Sequence, residues 1–187
     1  MGFGRIGTHV WCFESQGVIP DIVTMGKPIA NGHPMAAVVT TPEIAASFNN
    51  GVTYFNTFGG NPVSCAAALA TLNVLTDEDL CRNVQERSSQ LFSGLNDLKN
   101  KYNCIADVRG LGLYAGVELV TSSELMTPAP LLAKKVVEQM KSMGILLNTN
   151  GYDNNIIKIK PPLIIGSHDI ARLLECLGQV LHRLVSD

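Results

Sequence analysis

Lys27 is the side chain in this sequence best placed to do chemistry. It is the only formally charged residue between Ile22 and Pro42, and it follows an apolar stretch, Asp21-Ile22-Val23-Thr24-Met25. The loop it enters is stiffened by Pro28 and loosened by Gly26 and Gly32. Ligand sites in α/β sheets lie at the carboxyl ends of strands. An ammonium placed there in apolar surroundings loses hydration, its pKa falls, and the free amine can form a Schiff base with a carbonyl. The alternative is a lysine whose stem packs on the sheet while its head reaches water. Thr57-Phe58-Gly59-Gly60-Asn61-Pro62 is a second constellation. A hydroxyl, accessible backbone amides and a helix N-terminus suit an anion, phosphate above all, although many loop-to-helix junctions share this composition. Gly2-Phe3-Gly4-Arg5-Ile6-Gly7 has glycines spaced like a nucleotide loop, but it follows no strand in this chain and so lacks the context of a dinucleotide fingerprint.

The elements that must position these residues follow from local patterning. Asp21–Met25 and Ala36–Thr41 read as strands, and neither alternates polar with apolar, which predicts a sheet covered on both faces. Thr41-Pro42 and Asn61-Pro62 each place a capping side chain before a proline at the first helical position. The helix after Asn61 carries Ala66, Ala67, Ala68 and Ala70, small side chains that imply close approach of a neighbour. Thr76-Asp77-Glu78-Asp79 is expected to cap a further helix, with Leu80, Val84, Leu91, Phe92, Leu95 and Leu98 on its apolar face. Asp107–Leu119 reads as two strands or one bent strand, 121–130 as a loop, and 131–143 as a helix ended by Gly144. Ile145–Leu147 and Ile156–Ile159 read as strands around a turn at Gly151–Asn155. A closing helix begins at Ser167. This order predicts a compact α/β unit from about Glu78 onward.

Composition narrows the classes. With 14 Lys plus Arg against 16 Asp plus Glu, the 187-residue chain has a net charge of −2, which argues against a nucleic-acid or anionic-membrane surface. The chain is 46% hydrophobic and 16% charged, as expected of a core-forming protein and not a disordered one. Apolar runs fall short of the ~18 residues of a membrane span, and the N-terminus lacks the pattern of a signal peptide. The five cysteines are scattered and include no Cys-x-x-Cys pair. Disulfide scaffolds and zinc sites are therefore not expected, and a reducing compartment is.

Taken together and in order, these segments resemble one family. Gly2-Phe3-Gly4-Arg5-Ile6-Gly7, Trp11, Pro20–Lys27, Gly32-His33-Pro34 and Thr57-Phe58-Gly59-Gly60-Asn61-Pro62 are similar to the motifs of class III aminotransferases, pyridoxal-phosphate enzymes of fold type I. Asp107-Val108-Arg109-Gly110-Leu111-Gly112 and Lys158-Ile159-Lys160-Pro161-Pro162 extend the resemblance along essentially the whole chain. The nearest branch is that of the alanine–glyoxylate aminotransferase-like enzymes, which also holds the phosphoethanolamine and phosphohydroxylysine phospho-lyases. The resemblance implies an α/β chain forming the C-terminal portion of such an enzyme. Residues 1–77 would be the end of the large cofactor domain and 78–187 the small C-terminal α/β domain.

The resemblance also implies roles. The lysine at the position of Lys27 forms the Schiff base with pyridoxal phosphate and then carries the substrate Cα proton. The threonine at the position of Thr57 binds the cofactor phosphate of the neighbouring subunit, which implies a dimer or larger assembly. Arg5, Trp11 and Arg109 are read as packing and loop bracing, and His33 as shaping the loop after the lysine. Class III aminotransferases commonly hold the substrate carboxylate with an arginine before the Pro-Pro pair. Lys158 stands in that place here, with Lys160 beside it. A lysine lacks the flat fork that suits a carboxylate but serves as a point charge for phosphate. The expected function is therefore transamination of a small amine or amino acid, with phosphate elimination as the alternative. The family's aspartate for the pyridine nitrogen, its Gly-Ser-rich phosphate loop and its stacking aromatic are expected to lie outside this chain. That makes the chain incomplete for activity alone, or else a non-catalytic fragment or isoform that binds a full-length partner. A mitochondrial or cytoplasmic location is expected.

Overall fold

The computed structural model describes residues 2–185. β1 (Ile22–Gly26) and β2 (Ala36–Thr40) pair antiparallel from Ile22↔Thr40 to Gly26↔Ala36. Both strands match the sequence reading to within a residue. Their apolar side chains, however, are not consumed by this chain: Ile22, Val38 and Val39 are all exposed. α1 (Pro42–Phe48) starts where expected, with Thr41 Oγ1 accepting from Ile44 N at 3.4 Å. α2 (Pro62–Asp77) starts behind Asn61, whose Oδ1 accepts from Ser64 N at 2.9 Å.

α3 (Leu80–Lys101) corrects one expectation. Thr76 and Asp77 complete α2, and Asp79 starts α3 without a side-chain cap bond. The chain is turned there by Asp79 itself, at φ 45° in the left-handed region that Asp tolerates better than most residues.

A second, all-antiparallel sheet follows. β3 (Ile105–Gly110), β4 (Ala115–Ser122), β6 (Asn148–Asn150) and β7 (Ile156–Ile159) run in the order β3-β4-β7-β6, and the short β5 (Thr127–Pro128) pairs with β4. The segment expected to be only a loop thus contains a brief strand, held at Val120↔Pro128 and Ser122↔Thr127. The expected strand at Ile145–Leu147 is not one. The ladder to β7 is made by the three residues after it, Asn148↔Lys158 to Asn150↔Ile156, because the Gly151–Asn155 turn sets the register. Ile145, Leu146 and Leu147 instead line a crevice under Pro161 and Pro162.

α3 and α4 (Pro130–Ser142) pack on this sheet, and α5 (Ser167–Val185) packs on both α3 and α4. The hydrophobic core lies between them: Val84 and Leu91 from α3, Val117 and Leu119 from β4, Met140 from α4, and Leu177 from α5. Strand β7 alternates as a one-sided sheet should: Ile157 and Ile159 are buried while Ile156 and Lys158 are partly exposed. The contiguous core cluster draws its fully buried members from 84 to 181. Residues 18–74 carry Ile19, Phe55 and Phe58 at 96%, 82% and 80% exposure.

Candidate functional site

Lys27 follows β1 directly and opens a single 3-10 turn, Lys27–Ala30, that carries the chain towards β2. Two features fix the turn. Ile29 and Ala30 are buried, packed towards α2, and Asn31 N and His33 N donate to Pro28 O and Ala30 O at 3.1 and 3.0 Å. Lys27 and Asn31 both sit at positive φ, 48° and 46°. Each such residue costs about 1–2 kcal/mol. Strain of this kind persists only where the surroundings over-determine it. Here the β1–β2 ladder holds one end and the packing on α2 holds the other.

Lys27 lines a cavity of about 400 Å³, together with Arg5, Lys160, Thr71, Leu75 and Pro162. The charged residues of its lining are Arg5, Lys27 and Lys160, all cationic. Lys27 itself remains exposed, so the desolvation expected from its sequence neighbours is not supplied by this chain's own side chains. Arg5 is partly buried, and burial lowers its pKa. Its Nη1 donates to Leu113 O at 3.0 Å and to Pro161 O at 2.6 Å, while its carbonyl accepts from Leu113 N at 3.0 Å. Bracing, as read from the sequence, is therefore what Arg5 does, and it adds a positive charge to the cavity. The pKa of Lys160 is lowered, first by desolvation and then by the charges of Arg5, Lys158 and Lys27.

Lys158 lines a different hollow, of about 250 Å³, with Arg109, Tyr114 and Asn150. Arg109 there is neutralised by two carboxylates, Asp107 Oδ2 at 2.8 Å and Glu118 Oε2 at 2.5 Å, which raise its pKa. The two lysines that stand together in the sequence are thus divided between two hollows. β7 ends at Ile159, and Lys160 lies beyond the ladder, where Arg5 holds the Pro161 carbonyl. Sequence reasoning picked out Lys158 by its place before Pro-Pro. The residue sharing the Lys27 cavity is Lys160, which the sequence marks by its place directly before Pro161-Pro162.

Thr57 is exposed, in the irregular segment between α1 and α2, and is not among the residues lining the Lys27 cavity. The expected anion cradle has a local occupant, because Asn56 Oδ1 accepts from Phe58 N at 3.2 Å and Gly59 N at 3.0 Å. One connection was invisible to sequence reasoning. His33 Nε2 lies 2.8 Å from Ser64 Oγ, joining the segment after Lys27 to the start of α2. Among the described residues, no group of three or more His, Cys, Asp or Glu could hold a metal ion, and no helix is long and apolar enough to cross a membrane.

An amine at a strand end, a strained turn that carries it and a cavity whose charged walls are all cationic stand together on an α/β scaffold. The chain belongs to the class III aminotransferases: the Aminotransferase class-III family matches residues 1–181. Members of that family are pyridoxal-phosphate-dependent enzymes. An alanine–glyoxylate aminotransferase 2-like protein of Drosophila melanogaster is 46% identical over 193 residues, covering 100% of this chain and 39% of its own length. An ethanolamine-phosphate phospho-lyase homolog of Caenorhabditis elegans is 45% identical over 183 residues, covering 96% of this chain and 39% of its own. A phospholyase from Arthrobacter, solved in complex with phosphoethanolamine, superposes with a TM-score of 0.92 at 39% identity, over 96% of this chain and 43% of that one. The fold is thus that of part of a fold type I pyridoxal-phosphate enzyme. The chain spans about two fifths of the length of the relatives it matches.

The residues present fit part of that cofactor. Lys27 carries an amine that could meet its aldehyde, and Arg5 and Lys160 add positive charge to the same cavity. No Asp or Glu lines the cavity, so a partner for the pyridine nitrogen is not among its walls.

Proposed function

We propose that this chain supplies the catalytic lysine of a pyridoxal-phosphate-dependent aminotransferase. The observation that carries the reading is Lys27, held at φ 48° where β1 ends and lining a cavity whose other charged walls, Arg5 and Lys160, are cationic. When bound, pyridoxal phosphate supplies a reactive carbonyl and a ring that withdraws electrons from the substrate. Lys27 Nζ would be the amine that holds the cofactor's carbonyl, and the same amine would take and return the proton at the substrate Cα. Thr57, on its exposed loop, is assigned to a phosphate oxygen of the cofactor held by a second copy of the chain. The protein then acts as a dimer or larger assembly on a small amine or amino acid. Residues 1–77 are assigned to the cofactor domain and 78–187 to a small α/β domain. The buried core cluster within 84–181 supports that division. Five free cysteines support a reducing compartment, mitochondrial or cytoplasmic.

The cationic lining favours a second reading, elimination of phosphate from a substrate such as phosphoethanolamine or phosphohydroxylysine. Lys160 would then serve as the point charge for the substrate phosphate inside the Lys27 cavity, with Lys158 adding positive charge from its separate hollow. A third reading, a chain that works only with a longer partner, is supported by the exposed apolar side chains of 18–74. Incubation with pyridoxal phosphate, borohydride reduction and mass mapping test the central assignment. An adduct on Lys27 is expected, and its absence overturns competence of the chain alone. In a preparation that forms the adduct, phosphate release from phosphoethanolamine identifies the lyase. Glyoxylate- or pyruvate-dependent amino transfer without phosphate release identifies the aminotransferase.

A further inference from the structure

His33 and Ser64 are 31 positions apart, and their side chains meet at 2.8 Å. Ser64 is buried, and it is also the third residue of α2. Its backbone N donates to Asn61 Oδ1 at 2.9 Å, and its hydroxyl accepts from Asn61 Nδ2 at 3.0 Å. Asn61 Nδ2 also donates to Phe58 O at 2.8 Å. A continuous chain of bonds therefore leads from the turn that Lys27 opens, through His33, Ser64 and Asn61, to the carbonyl of the residue after Thr57. On the lysine side, His33 N closes the turn on Ala30 O at 3.0 Å, and the left-handed residues Lys27 and Asn31 frame it. Such a turn relaxes towards ordinary dihedrals unless its far end is pinned, and the His33–Ser64 contact is the side-chain bond that pins it to α2.

We infer that His33 is a positioning residue that locks the Lys27 turn to the Thr57 loop, so that the two segments open and close as one unit. The consequence for cofactor capture rests on the function proposed above, but the lock itself does not. Its test uses the 187-residue chain and the variants His33→Ala, Ser64→Ala, their double, and His33→Gln, whose amide can still bond a hydroxyl. Amide hydrogen exchange is followed over 26–33 and 56–61, where the amides of Asn31, His33, Gly59 and Asn61 are all hydrogen-bonded. Either alanine variant is expected to accelerate exchange in both segments at least about fivefold, the double no more than either single, and His33→Gln to restore most of the protection. Pyridoxal-phosphate capture on Lys27 is expected to weaken by a similar factor in the alanine variants and to recover in His33→Gln. The lock is overturned if each variant loosens only its own segment, if the two effects simply add, or if His33→Gln behaves like His33→Ala. A wild-type chain that captures no pyridoxal phosphate on Lys27 overturns the competence of the chain alone, while the exchange data still decide the lock.

Discussion

Gly112→Ala separates backbone strain from steric exclusion at the junction that carries Arg5. Gly112 has φ +60°, and a Cβ there would lie 2.1 Å from Arg5 O and 2.5 Å from Ile6 Cα. Both neighbours are backbone, so neither can swing aside as a side chain does. The same carbonyl accepts from Leu113 N at 3.0 Å, so making room breaks that bond or displaces the whole Arg5 segment. Left-handed backbone costs an alanine about 1–2 kcal/mol. Overpacking against fixed atoms adds about 1–3 kcal/mol, and the lost hydrogen bond about 1 kcal/mol. The variant should therefore lose about 4 kcal/mol, a large share of the ~5–15 kcal/mol of an ordinary domain. The control is Gly17→Ala. Gly17 has almost the same φ, +64°, with nothing within 4 Å of its Cβ position, so only the dihedral cost of about 1–2 kcal/mol applies. Equilibrium urea unfolding at low micromolar protein, followed by far-UV circular dichroism, reads both. A midpoint lower by the equivalent of ~8–16 °C in a thermal scan is expected for Gly112→Ala. The reasoning fails if the two variants differ by less than about 1 kcal/mol, because the sites share their dihedral and differ only in what surrounds the added carbon.

Inorganic phosphate should raise the thermal midpoint of the chain, by an amount worth about 1.4 kcal/mol at ten times its dissociation constant. Lys160→Met should reduce that gain more than Lys158→Met does, because Lys160 and not Lys158 lines the cavity with Lys27 and Arg5. Equal effects in a scanning-fluorimetry titration would contradict the division of the pair. Asp107 is held below the ordinary aspartate range, first by its hydrogen bond from Arg109, which outweighs an opposing desolvation, and then by the charges of Arg109 and Lys99. A depressed carboxylate stabilises the fold above its unfolded pKa of about 3.9, and that contribution disappears as pH falls through the lower folded value. Asp107→Asn should therefore cost up to about 1 kcal/mol at pH 6, less in 1 M salt, and nothing once the pH has fallen through the lowered folded pKa, as read by urea unfolding across pH. Phe55 and Phe58 are exposed in the segment before α2, so the chain should self-associate in light scattering. Phe55→Ser with Phe58→Ser should shift it towards the monomer, and an unchanged scattering profile would place the sticky surface elsewhere.

Signals that act within one turn or one strand were legible in the sequence. Asn61 before Pro62 capped a helix, because a short oxygen-bearing side chain within reach of the third amide suffices. Apolar positions at helical spacing marked α5, and an apolar strand ending at an isolated lysine located Lys27. The motifs, read in order, also carried the family, which residues 1–181 match. Where several partners compete, local reading failed. Ile145–Leu147 has strand composition, yet the tight turn at Gly151–Asn155 sets the ladder and hands the pairing to Asn148–Asn150.

The site shows the same division. The residue types, an amine after a strand and a cluster of basic side chains before Pro-Pro, were fixed by the sequence alone. Which basic side chain faces Lys27 was settled by contacts spanning 108 and 156 positions, through which one guanidinium holds two distant carbonyls and aligns the Lys160 segment with the cavity. The bond between His33 and Ser64 likewise has no periodicity to betray it. Caps, turns and amphipathic faces are written within a few residues, because the atoms that make them are neighbours along the chain. Cavities and carbonyl clamps come from packing layers against one another, and only the folded chain brings their parts within reach.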